Sequence, residues 1–67
     1  MSEEEQRLAS YRTAILALHD RGYSEGQITA QQIVKHLHRT GSESQLYADV
    51  SGVGGLKLFR KETLRSR

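Results

Sequence analysis

The apolar positions of the first twenty residues recur at helical spacing. Leu8, Tyr11, Ile15 and Leu18 stand 3, 4 and 3 residues apart, and Ala14 widens the stripe without adding bulk. Ser2 occupies an N-cap position and Glu5, three residues later, completes a capping box. Glu3, Glu4 and Glu5 fall in the first turn, where the positive end of the helix dipole favours carboxylates. Gly22 fits the left-handed position after the last turn, with Tyr23 as the apolar residue beyond it. The pattern predicts a first helix that opens at Ser2 and closes at Gly22.

A polar connection, YSEGQI at 23–28, leads to a second helical pattern. Thr29 is its N-cap, and Gln32 can reach back to it. Ile28 and Ile33 have the spacing of a hydrophobic staple across that cap. Ile33, Val34 and Leu37 form the face to be buried. Gly41 is the predicted stop, preceded by Lys35 and Arg39, whose charges suit the negative end of the dipole. The expected helix runs about eleven residues from Ala30.

SESQ at 42–45 reads as a further capping box, opening a short third helix through Leu46, Tyr47 and Val50. Leu46 and Val50 are i, i+4 partners, Asp49 and Ser51 weaken the segment, and Gly52 is the predicted end.

The stretch GVGGLKLFRK at 52–61 has two readings. As a strand, Leu56 and Leu58 point one way and Lys57 and Phe59 the other. As a helix, Leu56, Phe59 and Thr63 share a face, with Leu64 beside it. The residues after the glycines favour a helix by propensity, and a strand over Leu56–Arg60 would need a partner that the chain does not obviously supply. Neither reading meets a proline.

A length of 67 residues makes this one domain, 1–67, with an acidic first turn and cap at 1–7 and a basic tail at 62–67. A domain this short buries only about 60% of the surface its unfolded chain exposes, so its stability is small. The chain has no cysteine, which excludes disulfides and thiolate metal sites and agrees with a reducing compartment. No apolar run reaches the roughly 18 residues that a membrane span requires. A soluble, cytoplasmic protein is expected.

The net charge of +2 is unevenly spread. Residues 1–27 carry a net −2, 28–55 are balanced, and 56–67 carry a net +4 from Lys57, Arg60, Lys61, Arg65 and Arg67 against Glu62. A basic end suits contact with a polyanion. It equally suits a C-terminal helix that gathers cations against its dipole.

The glycines do not make a nucleotide site. A P-loop needs a hydroxyl after its lysine, and Leu58 follows Lys57; the dinucleotide fingerprint needs a third glycine where Lys57 stands. His36 and His38, two apart in a predicted helix, point to different faces, and His19 has no cysteine or aspartate to complete a metal set. No serine sits in a nucleophile elbow and no acid–base pair can be assigned, so neither enzyme activity nor a cofactor is expected.

The order of elements carries more. A helix from Ala30, a break at 41–44 and a second short helix, with the first helix packed across the pair, form a helix-turn-helix order. With TAQQIVKHL at 29–37, the chain over residues 8–61 resembles the winged-helix and helix-turn-helix DNA-binding families. It departs from them in a longer turn, HRTGSES, and in Ile33 or Val34 where a small residue is usual. The candidate recognition helix, Glu43 to Ser51, is poor in cations, and Glu43 and Asp49 repel phosphate.

The resemblance implies a mainly α, tri-helical domain with a C-terminal basic hairpin or helix that binds double-stranded DNA as a regulator or accessory factor. Ser44, Gln45 and Tyr47 would then read bases. Lys35, Arg39, Lys57, Arg60, Lys61 and Arg65 would meet phosphates. A domain this small makes a weak site, so a homodimer or a co-binding partner is expected. The competing expectation is a protein-interaction module, an inhibitor or adaptor docking on a larger protein or ribonucleoprotein, because the same fold serves both roles.

Overall fold

Helix α1, Glu3–Asp20, is the spine against which the other helices pack. The computed structural model describes residues 2–38 and 43–66. Within them α2 is Ala30–His36, α3 is Glu43–Ser51 and α4 is Leu56–Arg65, with one turn of 3-10 helix at Glu25–Gln27 between α1 and α2. There is no strand among the described residues. The domain is therefore mainly α. Of the two readings of 56–60 the helix is the one that forms, so the helices number four among the described residues rather than three with a hairpin.

The stripe on α1 does what its spacing predicts. Leu8, Tyr11, Ala14, Ile15 and Leu18 are all buried. The Ser2 hydroxyl accepts from the Glu5 amide at 3.1 Å, satisfying one of the amides that the helix itself leaves free. At the other end Gly22 has φ 99°, the Tyr23 amide donates to the Leu18 carbonyl at 3.1 Å, and the Gly22 amide donates to the His19 carbonyl at 3.0 Å. These two bonds form a Schellman motif and turn the chain back across the core.

Ile28 and Ile33 then close the entry to α2, both with no exposed surface. Thr29 Oγ1 accepts from the Gln32 amide at 3.3 Å. Helix α2 is shorter than the sequence predicts. It ends at His36, Leu37 is its C-cap, and His38 has φ 55°. Leu37 packs on the core while the next residue turns left-handed, a conformation histidine tolerates better than most residues. Gly41 as the stop, and the cap at Ser42, lie outside the described residues.

Helix α3 buries Leu46 and Val50, as the i, i+4 pairing predicts. It also buries Asp49, which the sequence marks as a weak point on a solvated helix. Helix α3 ends at Ser51, so Gly52 follows its last residue as the sequence predicts. The left-handed residue after the helix is Gly54 (φ 97°), not Gly52, and the Gly55 amide donates to the Val50 carbonyl at 2.8 Å. A second left-handed glycine, Gly55 (φ 94°), turns straight into α4. Here Phe59 and Thr63 face the core, with Leu56 and Leu64 packed beside it. Each fully buried aliphatic or aromatic side chain contributes about 1.5–3 kcal/mol, so α4 is part of the core rather than an appendage.

Candidate nucleic-acid interface

Burying one face of α4 determines what the opposite face presents. With Phe59 and Thr63 turned inward, Lys57, Lys61 and Arg65 at i, i+4 and i+8 fall on the outer side. All three are exposed, and none takes part in an ion pair or a side-chain hydrogen bond. Over eight residues the helix rises about 12 Å. One strand of duplex DNA presents three to four phosphates over about that axial length.

Arg60 does not belong to this row. Its Nη1 donates to the Ile28 carbonyl at 3.0 Å, and its Nε lies 3.8 Å from Glu25 Oε1. It is largely covered and ties α4 to the α1–α2 connection. Burial against Ile28 takes it from the phosphate-contacting set that the sequence implies.

The exposed side of α3 carries Ser44, Tyr47, Ala48 and Ser51, together with Glu43 in its first turn. Tyr47 is 53% exposed, so it belongs to the surface and not to the core beside Leu46. Gln45 is exposed as well, and its Nε2 donates to Asp49 Oδ1 at 3.0 Å. Asp49 in turn does not repel an approaching phosphate in the way an exposed acid would. Arg7 holds it from α1 with two bonds, Nε to Oδ2 at 2.8 Å and Nη2 to Oδ1 at 3.0 Å. The Tyr11 hydroxyl adds a third donor at 2.7 Å to Oδ2. The carboxylate is 4% exposed with two donors on each oxygen. Its pKa is lowered to about 2, first by the Arg7 hydrogen bond and then by those from Tyr11 and Gln45, against an opposing effect of burial. Arg7 is correspondingly held well above its ordinary range, chiefly by the same hydrogen bond.

Lys35 stands apart from the α4 row, on the rim of a concavity between the end of α1 and α2. Arg39 lies outside the described residues. Among the predicted residues, the fold thus aligns Lys57, Lys61 and Arg65, leaves Ser44, Gln45 and Tyr47 exposed on α3 with Gln45 bonded to Asp49, and draws Arg60 into an internal contact. Among the described residues no group of His, Cys, Asp and Glu could hold a metal, and no helix is long and apolar enough to cross a membrane. No family model, curated protein or solved structure matches the chain.

Proposed function

We propose that this protein binds double-stranded DNA through the outer face of α4, with α2 and α3 acting as a helix-turn-helix-like pair. The observation that carries the reading is the row Lys57, Lys61 and Arg65, three outward cations without internal partners on a helix anchored by Phe59 and Thr63. Paired surface cations would gain little from phosphate, whereas unpaired ones release DNA counterions on contact. The burial of Asp49 supports the same reading, since it leaves Glu43 as the one carboxylate on α3 facing solvent. Ser44, Gln45 and Tyr47 are exposed on that helix and can touch base edges or sugar–phosphate.

Three contacts make a weak and largely sequence-independent site, which a homodimer or a second DNA-bound protein would strengthen. The affinity should fall with salt along a log–log slope of about −2.7, a loss of roughly fortyfold between 50 and 200 mM. A mobility-shift series over that range tests this. Absence of any shift at the lowest salt would remove the proposal.

A second reading has its own observation. Val53 and Leu58 are 39% and 45% exposed and border a cleft of about 340 Å³ with Arg12 and Phe59. Arg12 lies over the Phe59 ring, 5.1 Å from its centroid, so the cleft has a cationic lip on an apolar wall. Such a patch suits a protein partner. Leu58→Ser would weaken a protein contact there and leave DNA binding intact.

A further inference from the structure

The concavity beside α2 is lined by basic side chains. Arg21, Lys35, His36 and His38 surround it, over an apolar wall of Leu18 and Tyr23. Its volume is about 360 Å³, within the range of small-ligand sites. No carboxylate is among its described lining residues. The basic groups come from two separate segments. Arg21 is the C-cap of α1, Lys35 and His36 end α2, and His38 follows its C-cap Leu37. The left-handed turn at His38 (φ 55°), closed by its amide donating to the Lys35 carbonyl at 3.1 Å, brings that residue onto the rim.

We infer that this concavity is a site for a phosphate monoester carried on a planar ring, that is, a nucleoside monophosphate, free or as the 5′ end of a nucleic-acid strand. The chemistry of the lining selects this class. A dianionic phosphate needs several donors arriving from different directions, and Arg21 supplies a planar fork where Lys35 supplies a point charge. The imidazoles offer further N–H donors. Tyr23, half-buried and packed on the core, offers an aromatic surface of the kind on which bases stack. A simple carboxylate would leave most of these donors without a partner. The site shares no residue with the α4 row, so it goes beyond the proposed duplex contact and stands or falls separately from it.

An amide chemical-shift titration of the full chain with AMP, and in parallel with adenosine, tests the inference. AMP should move the resonances of residues 21–23 and 32–38, and adenosine should bind at least tenfold more weakly. Arg21→Gln and Lys35→Gln, both at exposed positions, should each weaken AMP at least tenfold while the rest of the spectrum stays in place. A variant with Lys57, Lys61 and Arg65 all changed to glutamine should bind AMP as the parent does. A 5′-phosphorylated single-stranded tetranucleotide and its 5′-hydroxyl twin separate the two sources. Preference for the phosphorylated strand assigns a strand end, and preference for AMP assigns the free nucleotide. The inference is overturned if adenosine binds as well as AMP, if neither substitution weakens AMP, or if the shifts fall on α4.

Discussion

Arg7 and Asp49 are 42 residues apart in the chain and joined side by side in the fold, with two hydrogen bonds of 2.8 and 3.0 Å linking α1 to α3. The acid is the more buried partner; Arg7 keeps 29% of its side-chain surface in solvent. Removing the acid therefore leaves an arginine that water can reach, and removing the arginine strands a covered carboxylate. Arg7→Ala should be the more damaging of the two changes. Asp49→Ala should cost about 2 kcal/mol, mainly through the lost charged hydrogen bonds. Arg7→Ala should cost more than that, because the covered carboxylate keeps its charge. Urea unfolding of both variants gives the order directly, and equal stability of the two would contradict it.

The same pair sets an acid limit to stability. The Asp49 carboxyl titrates lower in the folded chain, near 2, than its ordinary 3.8. The unfolded chain therefore takes up the proton first as the pH falls. Its contribution is complete above about pH 4 and is lost as the pH falls towards 2. Thermal unfolding of the parent and of Asp49→Asn, followed from pH 6 to pH 2, should show the gap between them closing over that window. A gap that stays constant would mean that the pair does not hold the carboxylate ionised.

The glycines between α3 and α4 should respond unequally. A Cβ at Gly52 would meet nothing closer than 3.7 Å, and the backbone there is ordinary. At Gly54 it would collide with Leu58 Cδ2, on a backbone with φ 97°. Leu58 is exposed and can swing aside, so the cost is mainly backbone strain, about 1–2 kcal/mol. Gly52→Ala should be close to neutral and Gly54→Ala clearly destabilising in parallel thermal melts.

Arg60 should separate stability from binding. Arg60→Gln removes the bond to the Ile28 carbonyl and should lower stability by about 1 kcal/mol, discounted for its partial exposure. It should leave the salt slope for duplex DNA unchanged. Lys61→Gln should do the reverse, reducing the slope by about 1 with no loss of stability.

What could be read from the sequence follows from what each feature depends on. Ser2, Thr29 and the stripe from Leu8 to Leu18 act within one or two turns, and their structures match their spacing. Asp49 was misleading on local grounds, because its partners Arg7 and Tyr11 arrive from another helix. Gln45, four residues before it, is within reach by sequence alone, yet nothing local says that its amide bonds the carboxylate. Arg60 was indistinguishable from Lys57 and Lys61 until Phe59 fixed which side of α4 faces inward. The wall of Tyr23 and Arg21 against Lys35 depends on how α1 turns back on α2 after Gly22, which no periodicity encodes.

The central claim is that the outer face of α4 contacts duplex DNA. An amide chemical-shift titration with a mixed-sequence duplex at low ionic strength tests it most directly, run on the parent and on the variant with Lys57, Lys61 and Arg65 changed to glutamine. The account predicts shifts along residues 57–65 and at the exposed positions of α3 in the parent, and their loss in an otherwise unchanged spectrum of the variant. Shifts of equal size in the variant, or none in the parent, would contradict it.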